Sequence, residues 1–217
     1  PLEEEQIQLF FSDIEPLAAS KVLVRLENET LSIGQRILSQ GLQLTVRGQD
    51  KIGIIGPNGV GKSTLLAKLH QLLSGKREIL LGFMPQDYQE TLNLDLSPVE
   101  FLSQTGHKEE IQKIQSHLAS LNFSYPEMHH QIHSLSGGQQ GKLLLLNLVL
   151  RKPNFLLLDE PTRNFSPTSQ PEIRKLFANY SGGLVTVSHD RRFLKEVCTS
   201  FYSLTEHGLE VVDLQDL

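Results

Sequence analysis

The chain has 217 residues, of which 39% are hydrophobic and 21% charged, and its formal net charge is −5. This composition is that of an ordinary globular protein, and the acidic balance gives no support to a broad nucleic-acid-binding surface. A single cysteine, Cys198, excludes a disulfide framework within the chain and fits a reducing compartment. The longest apolar run, residues 143–150, is shorter than the ~18 residues of a membrane-spanning helix and is broken by Asn147.

The first residues, PLEEEQ, are acidic and polar and do not form a signal-peptide pattern. We expect residues 1–20 to be the end of a linker, with the apolar stretch IQLFF able to cover an edge of the fold. Because no initiator methionine is present, we expect the chain to be a fragment of a longer protein. A trimmed tag or processing is the alternative.

Hydrophobic patterning predicts strands alternating with helices. Such an alternation is typical of a mainly parallel sheet with helices on both faces. Strands are predicted at 21–26, 42–46, 51–55, 78–83, 155–159 and 183–188, and two short strands end the chain. Helices are predicted at 62–73, 137–151, 170–180 and 190–197, with a mostly helical polar region at 98–121 and a loop at 122–134.

A glycine-rich loop follows the predicted strand at 51–55 and opens the next helix. Its sequence, GPNGVGKST, fits the phosphate-loop pattern G-x-x-x-x-G-K-[ST]. Glycines let the backbone N–H groups turn toward a phosphate, and the helix dipole favours an anion there. The lysine supplies charge for the β- and γ-phosphates, and the serine hydroxyl can bind Mg²⁺. The predicted nucleotide-binding residues are Gly56, Pro57, Asn58, Gly59, Val60, Gly61, Lys62, Ser63 and Thr64.

Two adjacent carboxylates end the apolar strand FLLLD at 155–159. Asp159 is placed to hold Mg²⁺ directly or through water. Glu160, the next residue, is placed to orient or deprotonate an attacking water. The phosphate loop about a hundred residues upstream makes this pairing far more specific than an acidic turn alone.

Several motifs in order resemble the ATP-binding cassette (ABC) ATPases, a class of P-loop NTPases. They are GPNGVGKST, FMPQD, LSGGQ at 135–139, FLLLDE and VSHD, and the resemblance runs from about residue 22 to the end. It implies an α/β cassette over residues 21–217, with a mainly parallel core sheet flanked by helices and antiparallel N-terminal strands. It also implies a helical subdomain inserted at about residues 87–151.

The same resemblance implies roles for individual residues and ATP with Mg²⁺ as the ligands. Gln86 is similar to the glutamine that senses the metal and the γ-phosphate, and His189 to the switch histidine that contacts that phosphate. Catalytic roles are thus expected for Glu160, His189 and Gln86, and metal binding for Ser63, Gln86 and Asp159. The signature loop, made by Ser136, Gly137, Gly138 and Gln139, would bind ATP held by a second cassette, so an isolated cassette should hydrolyse ATP weakly.

Two positions depart from the family pattern. An aromatic residue usually stacks on adenine, but by alignment that place falls near Ile33. An aliphatic side chain still packs on a base without the π contact. After DEPT, Ser166 stands where the family has an aspartate that couples the two sites, and Pro167 stiffens the turn.

The string TRNFSP resembles the second cassette of some ABC-F proteins, including relatives of antibiotic-resistance factors. The resemblance implies a cytoplasmic protein that acts on the ribosome as a translation factor or in ribosome protection. Its partner would be a second cassette in the same full-length chain, or a second copy of the fragment. Two alternatives stay open: the cassette of an ABC membrane transporter, and a DNA-repair or chromosome-maintenance ATPase.

Overall fold

The computed structural model describes residues 9–217. The part of the predicted linker end formed by residues 1–8 lies outside the described residues. From Leu9 onward the segment packs on the fold: Leu9 is buried, and the ring of Phe11 lies 5.9 Å from that of Phe177 and 4.8 Å from that of Tyr180. Leu9 and Phe11 therefore cover part of the core, whereas Phe10 is 67% exposed.

The strands form two sheets. The first pairs β1 (Val22–Ile33) with β2 (Arg36–Arg47) in antiparallel fashion. The second has six strands in the order β4-β5-β6-β3-β7-β8. They are β3 (Lys51–Ile55), β4 (Leu81–Met84), β5 (Phe155–Asp159), β6 (Gly183–Val187), β7 (Ser200–Thr205) and β8 (Gly208–Val212). All neighbours in this sheet are parallel except β7 and β8.

Seven α-helices connect these strands in residues 9–217. They are α1 (Lys62–Ser74), α2 (Pro98–Leu102), α3 (Lys108–Ser120), α4 (Tyr125–His129), α5 (Gly137–Arg151), α6 (Gln170–Ala178) and α7 (Arg191–Val197). None of these helices is long and apolar enough to cross a lipid bilayer. The predicted α/β fold, with its mainly parallel sheet and antiparallel N-terminal strands, is confirmed.

Strand alternation divides the core into two layers. On β5, Phe155 and Leu157 face the layer that holds α1 and the two-stranded sheet. Leu156 and Leu158 face the layer that holds α5, α6 and α7. Every residue of β5 is buried, as a central parallel strand requires.

The region between β4 and β5 differs from the predicted boundaries. The predicted strand at 78–83 is wrong at its start, because the Ile79 N–H bonds to the Lys76 carbonyl in a turn and β4 begins only at Leu81. The predicted helical region at 98–121 is split between α2 and α3. The predicted loop at 122–134 contains α4, whose capping box pairs Ser124 with Glu127.

The candidate functional residues lie where several strands end together. Carboxyl ends of neighbouring parallel strands meet at one edge of a sheet, which is where α/β folds bind ligands. The chain leaves β3 into the glycine-rich loop, β5 into Glu160, and β6 into His189. This edge is the one from which the site is built.

Candidate functional site

The loop between β3 and α1 turns through glycines at positive φ. Gly59 has φ 83° and Gly61 has φ 106°, values that L side chains rarely adopt. Gly61 is the residue before α1, and no side chain within residues 9–217 caps that helix end. The N–H groups of the first turn are therefore free of a capping side chain, and the helix dipole adds positive potential. This geometry is suited to a phosphate, and the phosphate-binding role of the loop stays a prediction.

Lys62 lies at the centre of this loop and is 8% exposed. Its ammonium donates hydrogen bonds to the carbonyls of Gly56 and Pro57, the second at 3.0 Å. Burial lowers the pKa of Lys62, while the nearby carboxylates of Glu160 and Asp159 raise it. An ammonium has three donors, so one remains for a phosphate oxygen after the two carbonyls are served.

Two of the predicted metal ligands, Ser63 on α1 and Asp159 on β5, lie in contact. The Ser63 hydroxyl donates a hydrogen bond of 2.7 Å to Oδ2 of Asp159. Oδ1 of Asp159 is buried and has no hydrogen-bond partner among residues 9–217. A buried carboxylate oxygen without a partner is costly, and Mg²⁺ prefers oxygen ligands of this kind. The pair therefore fits Mg²⁺, which Ser63 and Asp159 would hold and which would neutralise charge on the phosphates of a nucleotide.

Burial is the largest influence on Asp159 and raises the pKa of its carboxyl. The hydrogen bond from Ser63 acts in the opposite direction. No group of three or more histidine, cysteine or acidic residues suited to a metal occurs among residues 9–217. Mg²⁺ in nucleotide sites is commonly held by one or two carboxylates together with phosphate oxygens and waters, and a single buried carboxylate fits that pattern.

Glu160 and His189 form the second pair at the sheet edge. Nδ1 of His189 donates to Oε1 of Glu160, and the His189 backbone N–H donates to Oε2 at 3.2 Å. The Glu160 side chain is only 9% exposed, whereas that of His189 is 56% exposed. Glu160 also has a positive φ of 50°, a strained conformation that its N–H bond of 2.8 Å to the Val187 carbonyl helps to hold. The carboxylate is therefore held in one orientation facing the cleft.

These groups line an open cleft of about 770 Å³. Two apolar residues, Ile33 and Leu38, form one wall, and Ile33 is 63% exposed. Ile33 thus lines the cleft, and its place beside the nucleotide base stays a prediction. The remaining lining residues are Asn58, Gly59, Gly61, Lys62, Ser63, Thr64, Gln86, Asp159, Glu160, Thr162, Arg163, Gln170, Val187, His189 and Asp190.

Six lining residues were not singled out from the sequence: Leu38, Thr162, Arg163, Gln170, Val187 and Asp190. Thr162 donates a hydrogen bond of 3.0 Å to Asp190, which in turn caps α7. Thr162 and Asp190 are the last residues of the motifs DEPT and VSHD, and this position could have identified them from the sequence. Leu38 carried no such signal, because only the fold brings β2 to the glycine-rich loop.

The predicted signature residues 136–139 do not line this cleft. Ser136 caps α5 and forms a capping box with Gln139, whose side chain also donates to Glu127. Ser136 and Gly137 are exposed, and no atom of the described residues lies within 4 Å of a methyl group placed at Gly137 or Gly138. This helix start is therefore open to a ligand held by another molecule, although the side chain of Gln139 has partners within the chain.

Comparison with known proteins gives the family. A model described as ABC transporter matches residues 39–163. The chain is 31% identical over 210 residues to the probable ATP-binding protein YheS of Escherichia coli K12, covering 94% of this chain and 33% of that protein. It is 27% identical over 217 residues to ABC transporter F family member 2 of Arabidopsis thaliana, covering 96% and 32%. The chain thus spans about a third of the length of these relatives.

Solved structures show the same fold. A dimeric post-hydrolysis structure of the ATP-binding cassette MJ0796, bound to ADP and Pi, has a TM-score of 0.71 at 20% identity and covers 88% of this chain and 98% of that one. A bacterial Atm1-family ABC exporter with ATP bound has a TM-score of 0.72 at 18% identity, covering 96% and 42%. The chain belongs to the ABC transporter family, as a cassette that binds ATP with Mg²⁺ and hydrolyses the nucleotide.

Proposed function

We propose that this cassette is the second nucleotide-binding domain of a cytoplasmic ABC-F protein that acts on the ribosome, as a translation factor or in protection from antibiotics. The observation that carries the ABC-F assignment is the string TRNFSP after DEPT, in a chain similar to ABC transporter F family member 2 over 96% of its length. The chain covers a third of such relatives, so a second cassette in the same protein is part of the proposal.

In this proposal, ATP binds in the cleft with its phosphates over the glycine-rich loop. The backbone N–H groups of residues 59–64 and the Lys62 ammonium bind the phosphates. The base packs on Ile33 and Leu38, the apolar wall of the cleft. Ser63, Asp159 and Gln86 hold Mg²⁺, which when bound neutralises charge developing on the phosphates.

Glu160 then orients the attacking water and accepts its proton. His189 supports this role through its two hydrogen bonds to the Glu160 carboxylate. Because the imidazole is exposed to the cleft, its other nitrogen is free to face the γ-phosphate. The pair would thus link water activation to the presence of that phosphate.

The exposed signature loop, residues 136–139, completes the site of the other cassette. Its open helix start presents N–H groups and a positive dipole end to a phosphate. ATP held by one cassette and bound by the signature loop of the other draws the two together, and hydrolysis releases them. The closed form is the one that the ribosome would select.

Co-sedimentation tests the ribosomal role. The complete protein is prepared with Glu160→Gln and the matching change in its other cassette, and is pelleted with purified ribosomes in ATP or ADP. The proposal predicts co-pelleting in ATP only. Absence from the pellet in both nucleotides, with ATP binding intact, would contradict it and favour the membrane-transporter alternative.

A further inference from the structure

Three segments of the cassette meet at Gly141, which is buried in the second turn of α5. A methyl group added at Gly141 would lie 2.8 Å from Cζ of Phe165 and 3.0 Å from the hydroxyl oxygen of Tyr88. Both distances are shorter than ordinary van der Waals contact, so only glycine fits without a shift. We refer to Tyr88, Gly141 and Phe165 as the interlock.

Each member of the interlock is close in sequence to a residue of the proposed ATP sites. Tyr88 follows Gln86 by two residues, and Phe165 follows Glu160 by five. Gly141 shares a helix with the signature loop, four residues after Gly137. The interlock therefore joins the segment that carries a metal ligand, the loop after the proposed catalytic carboxylate, and the helix that serves the other cassette.

The two aromatic side chains are held firmly in place. Tyr88 is 8% exposed and Phe165 is 6% exposed, and both belong to the same core layer. The Leu92 N–H donates a 2.8 Å hydrogen bond to the Tyr88 carbonyl, and the Gln170 side chain donates a 3.1 Å bond to the Phe165 carbonyl. A displacement of either segment is thus passed to α5, since packed interiors shift as units.

The loop that contains Phe165 is also held within its own chain. Ser166, at the position where the family has the coupling aspartate, bonds through its hydroxyl to the hydroxyls of Thr168 and Ser169, each at 3.0 Å. Its carbonyl accepts the N–H groups of Ser169 and Gln170. Ser166 is therefore used to start the turn into α6, and the contact of this loop with α5 is made by Phe165.

We propose that Tyr88, Gly141 and Phe165 are positioning residues that transmit the state of the nucleotide cleft to the signature loop through direct packing on α5. The inference rests on the proposed pairing of two cassettes, because the signature loop acts only on the nucleotide of the other cassette. The interlock acts on the closed, hydrolysing state and leaves the first binding of ATP to the cleft unchanged.

Reciprocal rescue tests this proposal in the complete protein. Gly141→Ala forces the interlock apart, and Phe165→Leu opens a gap, since leucine ends before the position of Cζ. Each single change should lower kcat for ATP hydrolysis roughly tenfold to a hundredfold, the loss that a displacement of about 1 Å produces, with the ATP dissociation constant within about twofold. In the double variant the alanine methyl group fills the space left by leucine, and kcat should return to within a few-fold of the unaltered protein.

Gly75→Ala is the matched control, because a methyl group at Gly75 has no neighbour within 4 Å in the described chain and the φ of Gly75 is −80°. Unchanged kcat in folded Gly141→Ala, equal loss of ATP affinity, or a double variant no better than Phe165→Leu would overturn the proposal. If Gly141→Ala alone does not fold, the comparison of Phe165→Leu with the double variant decides. The rate of ATP hydrolysis is also measured for the unaltered protein and for Glu160→Gln. If these two rates are equal, the result refutes the proposed role of Glu160 and not the role of the interlock.

Discussion

The hydroxyl of Ser63 lies 2.7 Å from Oδ2 of Asp159, a residue ninety-six positions later in the chain. The other oxygen of that carboxylate is buried and has no partner in the part of the chain that the structure describes. The protein thus satisfies one oxygen, and the other is suited to act as a metal ligand. Because burial raises the pKa of Asp159, the folded protein holds the charged carboxylate at a cost that Mg²⁺ would remove.

The substitution Asp159→Asn distinguishes the role of Asp159 in metal binding from its effect on the stability of the fold. We expect the nucleotide-free variant to be at least as stable as the parent, with a gain of about 1 kcal/mol or some 2–4 °C in Tm at neutral pH. A raised folded-state pKa means that the carboxyl stabilises the fold at low pH and that this contribution is lost as the pH rises through it. The difference in the free energy of unfolding between the variant and the parent should therefore disappear as the pH falls toward 4.

Thermal unfolding with and without MgATP measures this effect. The increase in Tm that Mg²⁺ adds to ATP should disappear in Asp159→Asn and persist in Asp213→Asn, a change at an exposed carboxylate outside the cleft. A full Mg²⁺-dependent increase in Asp159→Asn would show that Asp159 does not hold the metal.

Lys62→Ala removes the cation at the centre of the phosphate loop. Charge-assisted hydrogen bonds to phosphate are lost, so the ATP dissociation constant should rise at least roughly 10–100-fold. Lys68→Ala is the control on the same helix, because Lys68 pairs with Glu29 and does not line the cleft. Calorimetric titration that gives equal affinities for Lys62→Ala and Lys68→Ala would refute the phosphate-loop assignment.

Glu160→Gln keeps the shape of the side chain and removes its negative charge. The amide still accepts a hydrogen bond from His189, but it cannot accept a proton from water, so turnover should fall by about 10²–10⁴-fold. ATP affinity should stay within a few-fold. The measurement is phosphate release at saturating MgATP, with Glu172→Gln on α6 as a control, and normal release would mean that another group activates the water.

Ile33→Tyr restores an aromatic ring at the mouth of the cleft. Stacking on the adenine ring is worth about 0.5–1.5 kcal/mol, so ATP should bind about 2–10 times more tightly. Ile37→Tyr places the same ring at another exposed isoleucine of this sheet, one that does not line the cleft. If both variants, or neither, bind ATP more tightly, Ile33 is not at the base position.

Much of the fold was predictable because the local sequence patterns favour the same helices and strands that packing of the core requires. Helix α5 begins and ends where the sequence predicts, since the capping box marks its start and the apolar run extends almost to its end. Strand β1 extends beyond the predicted residue 26 to Ile33, because its exposed, polar second half is paired by hydrogen bonds with β2 rather than by burial. The signal for α4, a serine followed three residues later by glutamate, was present but was masked by the surrounding proline and histidines.

The motifs predicted most of the candidate site, since the phosphate loop follows β3, Asp159 is the last residue of β5 and Glu160 comes directly after it. The interlock could not be predicted in the same way. Phe165 and Tyr88 lie 24 and 53 residues from Gly141, and no local pattern links them. Their meeting depends on how α5 packs against two loops, which is a property of the folded core.

Gly137→Asp tests most directly the claim that the cleft and the signature loop serve different ATP molecules. Gly137 is the exposed first residue of α5, where a Cβ atom meets no described atom within 4 Å and a carboxylate is favoured, so the fold should be unaffected. The added charge would repel a phosphate from the other cassette. In the complete protein, the account predicts unchanged ATP affinity of this cassette and hydrolysis reduced to half or less, with Gly137→Ala close to normal. A loss of ATP affinity in this cassette's own cleft, or full hydrolysis in Gly137→Asp, would contradict the account.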